Sequence, residues 1–315
     1  MAQISAYGTG GAGFIDGEFM PLAELKIPVT DMGFQLSDMC YDAVHAWNGK
    51  FFRLEDHLDR WERAIAERRY NSLGYSREQV AEILHGCVAR ANLQKAMVIW
   101  IATRGSPATG QKDLRTCNNR LIAWAAPYYA VVSDEEVERG CNIVVAQTTR
   151  IPPEAVDPTV KNFGRLDFVQ AVFEAYEQGA RHAVLLDDEG YVTEGRGWNI
   201  FALTGHELLS PDRGVLEGIT RKTVLELSVK LNLNGRLGRI KAEKLRGADE
   251  VFLSSTSGGI VPVNNIDGQA VGNGEPGPVT CRLRDMYWAL HDDPSYATPV
   301  RYELGDDARQ TKLAL

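Results

Sequence analysis

The chain has 315 residues, of which 44% are hydrophobic and 24% are charged, with 30 glycines and 13 prolines. This length suits about two domains, and the composition is typical of a globular protein and excludes a disordered, collagen-like or small disulfide-stabilised chain. The net charge of −8 disfavours nucleic-acid binding, because that function normally needs a basic surface.

The cysteines and histidines indicate a reducing compartment and no protein-bound catalytic metal. The five cysteines are scattered without a Cys-x-x-Cys pair, and the six histidines lack metal-binding spacing. The N-terminus has no basic flank followed by an apolar core, and the longest apolar stretch, residues 122–132, is too short for a membrane span and contains Pro127. We therefore expect a cytoplasmic protein that does not contact membranes.

Local signals predict hairpins and helices in the first half of the chain. Asn48-Gly49 between two apolar runs is a strong hairpin signal. The spacing of Leu58, Trp61 and Ile65 predicts an amphipathic helix, and Ser76 with Gln79 predicts the start of a second one. In chain order the predicted elements are strands over 44–47 and 51–53, helices over 54–69 and 77–91, and strands over 97–103 and 120–126.

The second half is predicted to mix strands with three helices. The polar stretch 133–136 has no apolar period, and it predicts a linker over 128–136 between a small N-terminal domain (1–127) and a larger C-terminal domain (137–315). The predicted elements are a strand over 142–147, a helix over 166–178, strands over 183–186 and 199–203, a helix over 219–231, strands over 250–253 and 259–263, an Asp267-Gly268 turn and a helix over 279–290. Because the strands neither alternate one-for-one with helices nor form an all-β series, we expect an α+β fold with two mixed sheets.

Residues 8–13 match the Gly-x-Gly-x-x-Gly pattern of dinucleotide-binding proteins. That fingerprint works only between a strand and a helix, whose N-terminus binds the pyrophosphate. Asp16-Gly17 and Pro21 follow too closely for a helix to begin there. We interpret the segment as a flexible glycine-rich tail.

Two charged residues stand in settings suited to cofactor chemistry. Lys161 follows the rigid Pro158 turn and precedes a helix, and a desolvated lysine amine is the nucleophile that Schiff-base chemistry requires. Glu194 lies among glycines directly before an apolar strand, where a carboxylate could hold a protonated ring nitrogen. Taken singly, each is more often an ordinary loop or turn residue.

Three further segments are suited to binding a phosphate group. Residues 214–221 run from a glycine-flanked loop into a helix, whose free amides and Thr220 hydroxyl are phosphate donors. Residues 254–259 supply hydroxyls and open amides, and Arg60 supplies a forked cation, although alone it is more often a salt-bridged helix residue. An amine for an aldehyde, an acid for a ring nitrogen and a phosphate site together indicate pyridoxal 5′-phosphate (PLP).

The same segments resemble the fold type IV PLP enzymes: branched-chain aminotransferases, D-amino-acid aminotransferases, aminodeoxychorismate lyases and (R)-selective amine transaminases. The likeness covers residues 33–296 and is closest to the (R)-selective amine transaminases. It is carried by Ser37-Asp38 with Tyr41-Asp42, the Phe-Phe-Arg-Leu run 51–54 with Asp56-His57, the segment 157–162 and Thr193-Glu194-Gly195.

The resemblance implies a role for each matching residue. Lys161 would bind the cofactor aldehyde covalently and move the proton between substrate and cofactor, and Glu194 would hold the pyridine nitrogen. The implied phosphate-binding residues are Arg60, Ile219, Thr220 and Thr256. The implied fold is a small N-terminal α/β domain and a larger C-terminal pseudo-barrel domain, in a homodimer whose subunits share the active site.

The substrate pocket follows the family less closely. Tyr41 keeps an aromatic residue of amine and D-amino-acid members, whereas Leu36 and Arg165 replace a histidine and a tryptophan of the fungal-type amine transaminases. The candidate substrate residues are Leu36, Tyr41, Ala43, Arg115, Arg165 and Ser257, with Arg115 or Arg165 for the substrate carboxylate.

We expect a transaminase that moves the amino group of an (R)-amine or D-amino acid to a 2-keto acid such as pyruvate. The alternatives are a branched-chain L-amino-acid aminotransferase that uses 2-oxoglutarate, an aminodeoxychorismate lyase and a non-enzymatic binding protein.

Overall fold

The structure, a computed structural model, describes residues 10–108 and 112–305. The strands are β1 (Ala12–Ile15), β2 (Glu18–Pro21), β3 (Met39–Trp47), β4 (Lys50–Phe52), β5 (Ala96–Ser106), β6 (Asn118–Pro127), β7 (Cys141–Thr149), β8 (His182–Leu186), β9 (Val192–Gly195), β10 (Asn199–Thr204), β11 (Glu207–Ser210), β12 (Asn234–Leu237), β13 (Glu250–Ser255), β14 (Gly259–Ile266), β15 (Gln269–Ala270) and β16 (Ala297–Pro299). The helices are α1 (Met32–Leu36), α2 (Leu54–Glu67), α3 (Arg77–Ala91), α4 (Asp134–Arg139), α5 (Leu166–Glu177), α6 (Ile219–Lys230), α7 (Ala242–Arg246) and α8 (Pro278–Ala289). None of these helices is long and apolar enough to cross a bilayer.

The chain forms two compact units. Of the described residues, the first unit contains 10–108, 112–129, the short segment Val160–Phe163 and 291–305. Its described strands form an antiparallel sheet in the order β16-β4-β3-β5-β6-β1-β2. Helices α2 and α3 cover one face, where Trp61 and Leu84 pack with the strand residues Val44 and Trp100 in a buried core.

The second unit comprises Ala130–Thr159 and Gly164–Leu290. Its sheet runs in the order β12-β11-β10-β13-β14-β7-β8-β9, with β15 paired to β14. The β7–β8, β7–β14 and β11–β12 pairs are parallel and the others antiparallel. An antiparallel N-terminal sheet followed by a curled, mixed C-terminal sheet confirms the predicted α+β class. The prediction that both sheets are mixed is wrong for the first sheet, whose described strand pairs are all antiparallel.

Turn and capping chemistry explains why several predicted elements are accurate. The Asn48-Gly49 turn has both φ angles positive (50° and 73°), as a two-residue hairpin requires. Helix α3 begins after Ser76, whose hydroxyl accepts from the Gln79 amide while the Gln79 side chain accepts from the Ser76 amide.

One prediction from the sequence is wrong locally, and one helix was not predicted. The predicted linker over 128–136 includes the first residues of α4, which begins at a Ser133–Glu136 capping box. The glycine-rich segment continues as β1, which forms a hairpin with β2 through the Asp16-Gly17 turn, so the tail interpretation fails for its described end. Residues 8 and 9 of that motif lie outside the described residues. The structure does confirm that no helix begins at the described end of the motif.

Candidate active site

Lys161 is held by backbone pairing inside the first unit. Its carbonyl accepts a hydrogen bond from the Tyr41 amide at 2.9 Å, and the next residue, Asn162, forms a β-bridge with Cys40. The side chain is half-buried, and its Nζ lies 4.7 Å from the centre of the Tyr41 ring. An aromatic face favours and partly desolvates an ammonium group, which is a suitable environment for a reactive lysine.

The three predicted hydrophobic substrate residues also lie in the first unit. Tyr41 and Ala43 are two apart on β3, so their side chains share one face of the sheet. The Tyr41 ring contacts the Phe163 ring, with centroids 4.8 Å apart. Leu36 ends α1 and is 58% exposed. The structure therefore forms an apolar wall beside Lys161 from Tyr41 and Phe163.

Arg60 projects from α2 and is bound by a buried aspartate. Its Nε donates to Asp42 Oδ2 at 2.8 Å and its Nη2 to Asp42 Oδ1 at 2.7 Å. The Nδ1 of His57 lies 2.8 Å from the same Oδ1. All three side chains are almost inaccessible to solvent. The two-point contact fixes the plane of the guanidinium group, which orients its remaining donors.

The charge states of this cluster follow from its surroundings. Burial alone would raise the pKa of Asp42, but Arg60 and His57 hold it well below its ordinary value, so the carboxylate is ionised. Burial lowers the pKa of His57. The nearby positive charges of Arg60 and Lys161 also lower it, whereas Asp42 raises it. Sequence reasoning missed the role of Asp42, although an acid in an otherwise apolar strand was a signal.

Glu194 lies in β9 of the second unit and is 6% exposed. Its Oε2 accepts from the Leu216 amide at 3.0 Å and from Asn199 Nδ2 at 3.1 Å. Its Oε1 lies 3.5 Å from Arg150 Nη2. A carboxylate surrounded by donors and a cation is stabilised in its charged form, as a partner for a protonated ring nitrogen must be.

Arg150 is a functional candidate that sequence reasoning missed. Its guanidinium is buried, donates from Nη1 to Asp167 Oδ2 at 2.6 Å, and lies 4.3 Å from the centre of the Phe168 ring. These contacts fix a positive charge beside Glu194. A buried guanidinium between two acids pairs with both, whereas a buried charge without a partner would be costly.

The start of α6 has the free donors of an anion site. Its N-cap residue, Gly218, has no side chain that could accept a hydrogen bond from the first turn. The amides of the buried residues Ile219 and Thr220 are therefore not capped by Gly218. A Cβ atom at position 218 would overlap Asn199 Oδ1, so glycine is required there. Thr256 lies half-buried in the turn between β13 and β14. These donors fit a phosphate group.

One buried hydroxyl of the second unit supports this fit. Ser254 Oγ in β13 is inaccessible and has no hydrogen-bond partner within the described part of the chain. Buried polar atoms are nearly always hydrogen-bonded, so an unsatisfied one indicates a missing partner. A ligand with acceptor oxygens would supply that partner.

The candidate carboxylate-binding residues are in different environments. Arg115 is exposed and pairs with Asp113, its Nη2 lying 2.6 Å from Oδ2. Arg165 lies at the N-cap of α5 in the second unit, half-buried, with its guanidinium 5.4 Å from the Phe168 ring centre. Ser257 is buried in the β13–β14 turn, where its carbonyl accepts from the Val131 amide at 2.8 Å.

Comparison with known families identifies the family of the chain. The family model for class IV amino-transferases matches residues 39–266, which include Lys161, Arg60 and Glu194. The chain belongs to the class IV aminotransferase family. Its cofactor is accordingly PLP, and a similar branched-chain aminotransferase from Thermobaculum terrenum has been solved in its PLP form.

Individual relatives of this class IV chain differ in the substrates that they are named for. It is 30% identical over 300 residues to branched-chain-amino-acid aminotransferase-like protein 2 of Arabidopsis thaliana, covering 92% of this chain but 52% of that protein, so the chain spans about half the length of this curated relative. It is also 30% identical to the D-alanine aminotransferase of Staphylococcus haemolyticus, covering 87% of this chain and 95% of that protein.

Solved structures agree with the family assignment. The branched-chain aminotransferase of Escherichia coli superposes with a TM-score of 0.87 at 25% identity, over 93% of this chain and 100% of that one. The branched-chain aminotransferase of the archaeon Thermoproteus uzoniensis superposes with a TM-score of 0.83 at 26% identity, over 92% and 99% of the two chains. These structures share the fold and are named as branched-chain aminotransferases.

Proposed function

We propose that the protein catalyses PLP-dependent transfer of an amino group from an (R)-amine or D-amino acid to a 2-keto acid such as pyruvate. The observation that carries this proposal is the apolar wall of Tyr41 and Phe163 beside Lys161. Tyr41 matches the aromatic residue of amine and D-amino-acid members, and the relative named D-alanine aminotransferase supports the same substrate class. An aromatic wall also suits an amine with a hydrophobic substituent.

The residues of this chain divide the work of the reaction. When bound, PLP supplies an aldehyde that holds the amino group and a protonated ring that withdraws electrons from the reacting carbon. Lys161 Nζ would hold the cofactor aldehyde until the donor amine displaces it, and the freed amine would then take up the proton from the amine-bearing carbon of the donor and release it again. Glu194 would accept a hydrogen bond from the protonated ring nitrogen, and Arg150, 3.5 Å away, orients the Glu194 side chain.

Each unit offers donors for the phosphate group. In the second unit, Ile219 and Thr220 offer amides at the start of α6, and Thr256 offers a hydroxyl. In the first unit, Arg60 offers a guanidinium fork already oriented by Asp42. Contacts of this kind fix a cofactor so that the reacting carbon stays close to the catalytic lysine.

We propose that Arg165 or Arg115 binds the carboxylate of the keto acid. A forked guanidinium can hold a carboxylate through two parallel hydrogen bonds. The Arg115–Asp113 ion pair is exposed, with Arg115 89% accessible, so exchanging Asp113 for a substrate carboxylate costs little. An apolar amine needs neither contact.

A second candidate function is branched-chain L-amino-acid transamination with 2-oxoglutarate. The similarity to branched-chain aminotransferases of known structure favours it. An aminodeoxychorismate lyase, which releases pyruvate without an amino acceptor, is the third candidate and has weaker support.

The substrates can be separated with one panel of reactions. We expect (R)-1-phenylethylamine or D-alanine to be consumed at least about tenfold faster than its own enantiomer, since a pocket arranged for one hand should cost the other more than about 1.4 kcal/mol in the transition state. The carbonyl product is measured by chromatography: acetophenone from 1-phenylethylamine with pyruvate as acceptor, and pyruvate from alanine with 2-oxoglutarate as acceptor, with L-leucine and 2-oxoglutarate as the comparison. Turnover of L-leucine alone would establish the branched-chain function instead.

We also propose a homodimer, supported by an apolar stripe on α5. Leu166, Val169, Phe173 and Tyr176 are 81%, 44%, 61% and 53% exposed, and their spacing places them along one helix face. Contiguous exposed apolar surface of this kind marks interaction sites. We expect sedimentation to give a dimer, which Phe173→Glu weakens at least about tenfold, whereas Val229→Glu on α6 does not. A monomeric wild-type protein would contradict the proposal.

A further inference from the structure

Ser254 is a buried polar residue whose environment within the second unit is incomplete. Its side chain is 2% exposed, and its hydroxyl has no hydrogen-bond partner among residues 10–108 and 112–305. The next residue differs, because the hydroxyl of Ser255 donates to the Gly197 carbonyl at 2.8 Å. Leaving a hydroxyl buried and unpaired costs stability, so its retention calls for a partner other than the described residues.

The register of the sheet places Ser254 beside the cofactor-binding groups of its unit. Ser254 is directly opposite Asn199 in the antiparallel β10–β13 pair, so the two side chains share one face and their Cβ atoms are about 5 Å apart. Asn199 Nδ2 donates to Glu194 Oε2 at 3.1 Å and to the Leu216 carbonyl at 3.0 Å. Its Oδ1 abuts Gly218 at the start of α6.

We propose that the Ser254 hydroxyl donates a hydrogen bond to the phosphate group of PLP, which adds a donor to the set of Ile219, Thr220 and Thr256. This inference rests on the proposed function, in which those groups hold the phosphate. Two features of β13 favour the phosphate over the ring. First, the turn that carries Thr256 begins directly after the strand. Second, Asn199, which pairs with Ser254, lies against Gly218 at the start of α6, where no side chain caps the helix.

The chemistry of the two ends of the cofactor leads to the same choice. The ring nitrogen carries a proton to donate and is matched by the carboxylate of Glu194. A phosphate oxygen only accepts, and a serine hydroxyl beside it can donate without adding charge. A buried water is the competing explanation, but it would need two or more polar partners at the same place.

The test compares Ser254→Ala with the wild-type protein, both in full length and stripped of cofactor. Each is titrated with PLP, with pyridoxal, which lacks the phosphate, and with inorganic phosphate as a competitor. We expect the Kd for PLP and for inorganic phosphate to rise about tenfold in the variant, as for loss of one hydrogen bond to a charged group. The Kd for pyridoxal should change less than about twofold.

Thermal unfolding of the cofactor-free protein supplies an independent readout. Because Ser254 loses no hydrogen bond within the described chain, Ser254→Ala should unfold at the same or a higher temperature without cofactor and gain less on adding PLP. Ser228→Ala is the matched control. Its buried hydroxyl donates to the Leu225 carbonyl at 2.7 Å, and it lies nine residues along α6 from Ile219, about 13 Å away. The Ser228→Ala substitution should lower the unfolding temperature and leave the PLP affinity unchanged.

An unchanged Kd for PLP, or an equal rise for pyridoxal, would overturn the assignment and leave a water-filled or empty contact as the explanation. If the alanine variant does not fold, Ser254→Cys keeps the volume with a weak donor and should weaken PLP in the same selective way. The outcome is separate from the proposed function. A wild-type protein that binds PLP but transaminates no amine leaves this inference intact, and an active enzyme with unchanged Ser254→Ala affinity refutes this inference alone.

Discussion

Replacing Lys161 by alanine is expected to abolish turnover, with a loss of more than about 10³-fold, because one substitution removes both the nucleophile and the proton carrier. Both roles belong to the same Lys161 amine, which lies beside the Tyr41 ring. The measurement is steady-state turnover, together with mass spectrometry of borohydride-treated protein. We expect the wild-type protein to retain a fixed cofactor adduct and the variant to lose it.

The exposed residue Lys230, at the end of α6, is the matched control. Lys230→Ala should keep both the adduct and the activity. An adduct that persists in Lys161→Ala would assign the covalent role to another lysine and remove the basis of the proposed mechanism.

Replacing Glu194 by alanine is expected to slow turnover by about 10²-fold or more while PLP remains bound. The phosphate donors and Lys161 still hold the cofactor, but the ring proton loses its charged acceptor. Arg150 retains Asp167 as a partner at 2.6 Å, so the unit should stay folded. Turnover and the Kd for PLP are measured together, since the expected signature is a fall in the first with little change in the second.

Two comparisons sharpen this experiment. Glu194→Gln keeps the shape and an acceptor oxygen for the Leu216 amide but removes the charge, so it should be nearly as slow as the alanine variant. Glu243→Gln removes an exposed charge on α7 and should have no effect. Full activity in Glu194→Gln would show that the charge of this side chain is not needed.

The sequence predicted regular elements well where local chemistry determines them. Helix α3 was predicted with the observed bounds, because local chemistry sets both of its ends. The Ser76 capping box begins the helix, and Asn92, in the αL conformation, ends it. Helix α4 was missed although Ser133 and Glu136 form the same kind of box, because it buries no residue and so has no apolar period. The β1–β2 hairpin was missed because Asp16-Gly17 was considered only as a helix breaker.

The candidate site could be predicted only in part, for a different reason. Lys161 and Glu194 stand in recognisable local motifs, so the sequence indicates them. Their supporting residues depend on pairings between distant positions, such as Asp42 with Arg60 across a sheet and a helix. Arg150 is 44 positions from Glu194, and nothing near it in the chain reveals that contact.

The first unit takes its outermost strand from the far end of the chain. Strand β16 pairs with β4, and the neighbouring contacts from Arg53 to Tyr296 and from Val300 to Gly49 continue that edge. During synthesis the ribosome must deliver the whole second unit before this border of the sheet can be covered. The sheet of the first unit can therefore be completed only after the second unit has been synthesised, and until then β4 presents an open edge that nascent neighbouring chains could join.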